Sequence, residues 1–548
     1  MTSLAARMGD DTSAANTYFH LLSNNTFTLS GLSSYVLAGA KDGFRCHFAR
    51  PAPLGLHLRA NYKSALQDET RISKALTDRL SNGKTLGPFA WDGSLPPGYD
   101  RLCINPMGSV PYKYEPQRSR PIDDPWVNDY LRAPYFCMPS LALVRLFASP
   151  GCWFGLQDVA SAFPCLPLHP DMWPFFGFLW HDLTSNQGAN PTARPRQLYL
   201  HTHGLFGPRD LPYIWTMYML WVTMAALADG IPLAAPYLDD ICHVNDHRHE
   251  VALYMDRYAA LLASLGTPEK LLKRSGPFQK GELLGRLINS RTFTIGVPKE
   301  KMDRFTALLR RLFVPGSRRV PTGDLRCLLG LANFIASVLP PAFACYLAPL
   351  FALFRGLRLP RCHRRCRNYT IKVTMEARDA ASALLRALPD FNHRVSINPA
   401  LTHAQGPRIY SDAGGSPPGW GYCSRRCFRA GLFTGPARDL NIALLELAAL
   451  VYGVEAHLID LQWSGCYLPL YCDNEVVCAW LTRGRANGEP ELRALANQML
   501  RRVYHLALAR DVIFTVHWLP SAANIAADAL SRLDFARFHT AYLAHPDW

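Results

Sequence analysis

Two adjacent carboxylates, Asp239 and Asp240, sit between the apolar pairs Ala234-Ala235 and Ile241-Cys242, so Tyr237-Leu238-Asp239-Asp240 reads as the tip of a short apolar hairpin. Neighbouring carboxylates at the end of apolar strands are costly without cations, and this restricts the chain to folds that bring compensating charge to the tip. A third carboxylate stands upstream in Leu156-Gln157-Asp158-Val159-Ala160-Ser161-Ala162-Phe163, again ending an apolar strand, with an aromatic residue five positions on. A lone aspartate after a strand is ordinarily a turn or capping residue. Three of them, delivered by separate apolar segments, suit two-metal phosphoryl transfer. In that chemistry two Mg²⁺ ions about 3.5–4 Å apart activate a 3′-hydroxyl and neutralise a leaving pyrophosphate. Asp158 and Asp239 are the expected metal ligands with Asp240 beside them, and Mn²⁺ is the alternative ion.

Beyond Pro407 the pattern restarts as an alternating α/β stretch. Ile409-Tyr410-Ser411-Asp412 ends a strand, Glu446 lies on a helix expected over Ala443 to Leu458, Asp473 follows a strand Leu468 to Cys472, and Asp528 lies on a terminal helix. These four carboxylates are 34, 27 and 55 residues apart. They are expected to hold a second pair of divalent ions, one generating hydroxide and one stabilising a leaving 3′-oxygen.

At 548 residues the chain is too long for one core, and two to four domains are expected. Hydrophobic residues make up 49% and charged residues 18%, a globular composition. The fifteen cysteines are scattered, and the N-terminus lacks the charged and apolar regions of a secretory leader. An intracellular protein, cytoplasmic or nuclear, is expected. Residues 211 to 236 are apolar but interrupted by Asp229, Gly230 and Pro232, so a core helix Leu211 to Ala228 is expected and no membrane span. The net charge is +15, and residues 301–372 hold fourteen Lys/Arg against two acids. Such clustering points to a polyanion, with Arg310, Arg311, Arg318, Arg319, Arg364 and Arg365 as expected nucleic-acid contacts. Cys362, His363 and Cys366 lack a fourth ligand at sensible spacing and carry no zinc expectation.

The order Asp158 to Phe163, then Phe206-Gly207 with Pro212 five positions later, then Tyr237-Leu238-Asp239-Asp240, resembles the reverse transcriptases. The resemblance implies that Phe163 is the steric gate against a ribose 2′-hydroxyl. It also implies that Phe206, Gly207 and Tyr237 support the template base and incoming nucleotide. Leu265-Gly266 with Lys270, Leu284-Gly285 and Val297-Pro298-Lys299 follow in family order; Lys270 is either a proton donor to pyrophosphate or an exposed turn lysine. Gly87-Pro88-Phe89, Val110 to Lys113, Arg120-Pro121-Ile122 and Val127-Asn128-Asp129 resemble retrotransposons of the DIRS type, which implies that Lys113 and Arg120 grip the nucleotide triphosphate. Gln157, where an apolar residue is common, and Pro208-Arg209-Asp210, where small residues are usual, depart from the family pattern, as does the spacing around Asp123-Asp124.

Asp412-Ala413, Gly419-Trp420-Gly421, Asn441 to Glu446, Asp473-Asn474, His517-Trp518, Asn524, Ala527-Asp528 and Leu530-Ser531-Arg532 resemble the RNase H end of the same elements. That implies hydrolysis of the RNA of a hybrid, recognised by shape and 2′-hydroxyls. His517 would assist product release or sit as a strand-end core histidine.

The resemblance spans approximately residues 85 to 535. It implies an α+β right-hand polymerase (fingers, palm, thumb), then a connection and an α/β RNase H-like domain. The expected division is an N-terminal extension 1–84, fingers and palm 85–260, thumb 261–335, basic connection 336–404, RNase H-like domain 405–535 and a tail 536–548. The expected partners are an RNA template, a DNA primer, RNA–DNA hybrid and dNTPs, with no membrane and a separate recombinase or integrase for insertion. A non-catalytic nucleic-acid-binding remnant and a nuclease with an inactive polymerase half are the rival readings.

Overall fold

The computed structural model describes residues 28–111, 119–136, 141–181, 196–232, 234–314, 316–338, 343–354, 369–390, 394–416 and 418–545. It is a mixed α/β protein whose chain divides into two compact units, Met1–Gln279 and Lys280–Trp548.

The first unit is organised by the helix Leu211–Ala228, which is apolar on every face, as a helix enclosed by protein must be. Pro212 opens it and Asp229-Gly230 closes it, with Gly230 at φ 77°. Its length and hydropathy would allow a bilayer crossing, as would those of Ile442–Asp460 in the second unit, but 83% and 78% of these stretches are buried in protein. Trp215, Trp221 and Tyr213 on the first helix are fully enclosed. Against them packs the helix Leu29–Asp42, capped by Thr28 Oγ1 accepting the Gly31 N–H at 3.1 Å and contributing Leu32 and Val36. Residues ahead of position 85, where the sequence displays no chemistry, are thus part of this core. Two short helices, Lys63–Gln67 and Glu69–Ser81, meet at Asp68.

One face of this core carries a four-stranded sheet in the order Ser275–Phe278, Trp153–Asp158, Asp240–Asn245, Ala234–Tyr237, antiparallel throughout. A five-stranded sheet and the hairpin Met107–Pro111/Ser119–Asp123 complete the unit. The first unit runs to Gln279, where Ser275–Phe278 pairs with Trp153–Asp158.

In the second unit lie the helices Lys299–Leu312, Thr322–Ala336 and Ala344–Ala352. The first buries Met302, Phe305, Leu309 and Leu312 along one stripe. Lys280–Leu283, Arg286–Asn289, Thr294–Gly296 and Arg394–Ser396 form a four-stranded antiparallel sheet, Arg319–Pro321 pairs with Thr370–Lys372, and from Ala404–Gln405 onward the chain builds a six-stranded sheet. Ile409–Gly415, Cys466–Cys472 and Ile513–Trp518 run parallel, and Pro418–Cys423 and Phe428–Leu432 extend it antiparallel. The expected tail after 535 is a helix, Phe535–Leu543; Phe538 packs on Phe428 at 4.7 Å between ring centroids and the Tyr542 hydroxyl donates to Ser424 O at 2.9 Å. Aromatic residues every four positions commit this segment to the sheet.

Replacing Trp221 by alanine removes a fully buried indole from the first core. It is expected to cost about 3–5 kcal/mol, read as a lowered denaturant midpoint in equilibrium unfolding.

Candidate functional site

Antiparallel pairing sets Asp240 opposite Asp158, and Asp240 is also the cross-strand partner of Tyr237, so Leu238-Asp239 forms a two-residue turn. Leu238 holds φ at 52°, a conformation costing an L-residue on the order of 1 kcal/mol. The turn is held from the other side, where the Val159 N–H donates to Asp239 O at 2.9 Å. Three carboxylates are thereby gathered at one sheet end by backbone hydrogen bonds. Asp158 is 4% exposed, and its Oδ2 accepts from Lys273 Nζ. Burial, then the charges of Asp158 and Asp239, push the Asp240 carboxyl up to about 6, with Lys273 opposing. Burial works to lower the Lys273 pKa, but its hydrogen bond to Asp158 and the charges of all three aspartates outweigh burial and raise it.

Two of the residues that depart from the expected pattern, Gln157 and Asp210, have physical roles. Gln157 is buried with His243, whose Nε2 lies 2.6 Å from Gln157 Oε1, a polar pair within the sheet. Asp210 is fully buried at the start of the core helix, where its Oδ2 accepts from the His47 N–H and lies 2.8 Å from His47 Nδ1.

Asp158 and Asp239, but not Asp240, line a cavity of about 390 Å³ together with Lys270, Lys273, Phe206 and Pro121, among others. Lys270 is placed by its own N–H donating to Asp158 O at 2.7 Å. Gly207 has φ 142°, and a Cβ there would lie 2.2 Å from Asp123 O, so glycine alone permits the Asp123 N–H to reach Phe206 O at 3.2 Å. Phe163, expected as a gate, is not among the lining residues: its ring packs 5.2 Å from Phe206 and 6.4 Å from Trp215, centroid to centroid. Tyr237 and Gly207 are likewise not among the lining residues. Lys273 was not predicted; a basic residue three positions after Lys270 is the only signal of it in the sequence. Arg120 lies opposite Val110 on the Ser119–Asp123 strand, and Lys113 lies outside the described residues.

In the second unit Asp412 lies within its strand, opposite Gly421, and not at its end as predicted; the strand runs on to Gly415 because the hairpin with Pro418–Cys423 continues the pairing. Its Oδ2 accepts from Ser531 Oγ at 2.5 Å. Glu446 projects from the helix Ile442–Glu455 and is 6% exposed. Asp473 follows Cys472, and one ligand atom each of Glu446, Cys472 and Asp473 lie within 4.8 Å of one another. The Cys472 thiol itself is 3.9 Å from Glu446 Oε2. Asp528 sits on the helix Ile525–Ser531, its two oxygens accepting from Arg532 Nε and Arg537 Nη1, each at 2.7 Å.

The Gly-Trp-Gly motif explains how that helix comes so near. A Cβ on Gly419 would meet Ser531 O at 2.0 Å, and one on Gly421 would meet Leu530 Cβ at 2.4 Å. Burial first, then Asp473 and Asp528, push Asp412 up to about 6, against the Ser531 hydrogen bond and Arg532. Burial first, then Asp412 and Asp473, push Glu446 up to about 9. His517 is exposed and stacks on Tyr471 at 4.9 Å.

Of the expected phosphate contacts, Arg310 and Arg318 are exposed, Arg311 pairs with Asp324 at 3.0 Å, and Arg319 donates to Thr370 Oγ1 and O at 2.8 Å each. Arg364, Arg365, Cys362, His363 and Cys366 lie outside the described residues.

No protein-family model matches the chain. No curated protein matches it in sequence. Among solved structures it is similar to a foamy viral protease-reverse transcriptase in complex with dsDNA, at 16% identity over 92% of this chain and 97% of that one, with a TM-score of 0.47. The dRH form of the foamy viral enzyme with ds DNA gives 16% identity, 92% and 82% coverage, and a TM-score of 0.47. The enzyme with RNA/DNA hybrid gives 14%, 92% and 62%, and 0.46.

Because Glu446 titrates near 9 when folded and near 4.3 when unfolded, the folded state binds its proton more tightly. Its contribution is fully present below about pH 4 and is lost as pH rises through 9; Asp240 and Asp412 act likewise between about pH 4 and 6. Thermal unfolding in a chelator is therefore expected to move to lower temperature from about pH 5 to 9. Glu446→Gln should flatten that fall, with a gain on the order of a few kcal/mol at about pH 9 and none near pH 4.

Proposed function

We propose that this chain is an RNA-directed DNA polymerase with ribonuclease H activity, working inside the cell on the RNA of a DIRS-like retroelement. The observation that carries the reading is the cross-strand pairing of Asp158 with Asp240, beside Asp239 in a two-residue turn, at the mouth of a lysine-lined cavity. The Asp240 carboxyl is raised first by desolvation and then by the charges of Asp158 and Asp239, with Lys273 opposing. An all-oxygen donor set of this kind fits Mg²⁺, with Mn²⁺ as a substitute. Asp158, Asp239 and Asp240 would hold one pair of ions, and Asp412, Glu446, Asp473 and Asp528 a second. When bound, such ions supply Lewis-acid stabilisation of the attacking and leaving oxygens.

The chain's own residues do the remaining work. Lys273 keeps a proton on Nζ beside Asp158, and Lys270 shares the cavity, so either ammonium is placed to protonate a leaving pyrophosphate oxygen. Phe206, pinned through Gly207 to Asp123, offers a ring to the incoming base. In the second unit Ser531 holds the Asp412 carboxylate at a fixed angle. The exposed Arg310 and Arg318, with the basic stretch that follows, are suited to backbone phosphates of a primer–template duplex. An RNA template, a DNA primer and dNTPs are the proposed substrates of the first site, and RNA–DNA hybrid that of the second.

One observation favours a second reading, a remnant that binds nucleic acid without cutting it: both oxygens of Asp528 are already held by arginines. Primer extension on an RNA template with dNTPs and Mg²⁺, scored for DNA product and template fragments together, separates the two. Asp239→Asn should abolish extension by roughly a thousandfold or more while leaving RNA cleavage, and Glu446→Gln should do the reverse. Binding without extension or cleavage under either metal would sink the enzymatic reading.

A further inference from the structure

The cavity beside the three aspartates has a further wall, supplied by the segment ahead of residue 85, in which the sequence shows no chemistry. The end of the helix Glu69–Ser81 and the turn after it place Asp78, Arg79, Asn82 and Lys84 in the same lining as Asp158 and Asp239. We propose that Arg79 and Lys84 clamp the triphosphate of an incoming deoxynucleotide, on the polymerase reading given above.

Neither side chain is committed elsewhere by charge. Among the described residues, no carboxylate lies within ion-pair distance of Arg79 or Lys84, although both are half-buried, a situation in which cations normally find a partner. Arg79 Nη1 instead lies 3.5 Å from Nδ1 of His201. A guanidinium can only donate, so Nδ1 accepts, and Thr85 Oγ1 reaches the same nitrogen at 3.3 Å. The ring proton then sits on Nε2, which faces Asp123 Oδ1 at 3.4 Å. Burial holds the His201 pKa down, so this ring is neutral. It orients the guanidinium and leaves the positive charge of Arg79 uncancelled.

The backbone is also fixed. The Lys84 N–H donates to Arg79 O at 2.8 Å, Thr202 Oγ1 donates to Gly83 O at 2.9 Å, and the Thr202 N–H donates to Lys84 O at 3.2 Å. Gly83 takes φ 67°, which lets the chain turn sharply between the two cations. The cavity thus presents Arg79, Lys84, Lys270 and Lys273 against Asp78, Asp158 and Asp239. Divalent ions on the aspartates would leave it strongly positive, and a volume of about 390 Å³ suits one nucleotide. A phosphate of the template strand has the same chemistry, and the experiment separates the two sources.

Steady-state extension would be measured for the intact chain, Arg79→Ala, Lys84→Ala, the charge-keeping Lys84→Arg, and Lys74→Ala as an exposed control on the same helix. Equilibrium binding of a dNTP to the protein–primer–template complex, with Ca²⁺ in place of Mg²⁺, supplies a readout that needs no turnover. Each alanine variant is expected to raise the KM and Kd for dNTP about tenfold, with kcat within about twofold, an unchanged Kd for primer–template, and recovery in Lys84→Arg. Unchanged dNTP affinity would overturn the clamp. So would a loss confined to primer–template affinity, which would mark a template contact, or a Lys84→Arg variant no better than Lys84→Ala. Absent extension by the intact chain with Arg79-dependent dNTP binding would instead sink the polymerase reading and keep the nucleotide site.

Discussion

Mutual repulsion among closely set carboxylates, of which Asp158, Asp412 and Glu446 are buried, is the constraint that both units of this protein are built around. Asp158 and Asp240 face each other across two strands, and Glu446 lies among Asp412, Asp473 and the Cys472 thiol. Each cluster is held against its own repulsion by features that have no other evident purpose. A strained turn at Leu238 and the Val159 hydrogen bond hold the first; a helix pressed onto Gly419 and Gly421, with the Ser531 hydroxyl, holds the second. In the first unit the two largest fully enclosed side chains, Trp215 and Trp221, stand on the helix Leu211–Ala228.

The carboxylates were legible in the sequence because each follows or interrupts an apolar run, a pattern that burial makes conspicuous. The helix Leu211–Ala228 was legible to the residue, since apolar composition between a proline and an Asp-Gly pair leaves no other reading. Asp412 was misplaced at a strand end because Ala413-Gly414-Gly415 reads as a turn, while the pairing with Gly419 to Gly421 carries the strand onward. Lys273 and the Arg79–Lys84 turn were invisible for a different reason. Charged residues on short or irregular elements have no periodicity, and only the tertiary fold decides whether they line a cavity or meet solvent.

Buried polar pairs form a third class. Gln157 with His243, and Asp210 with His47, look like departures from an apolar pattern when read one residue at a time. Each becomes sensible when its partner, 86 or 163 residues away, is in place. The N-terminal helix Leu29–Asp42 was overlooked on similar grounds: its apolar residues are ordinary, and what distinguishes them is the enclosed helix they cover.

The pairing of Asp158 with Asp240 also sets a length scale. Neighbouring strands lie about 4.8 Å apart, a spacing dictated by peptide hydrogen bonds and indifferent to side chains. Carboxylates mounted at facing positions of adjacent strands therefore stand near enough for both to reach the same divalent ion, were one bound there. The sheet acts as a ruler, and a ruler made of backbone keeps its graduations while the residues written along it drift.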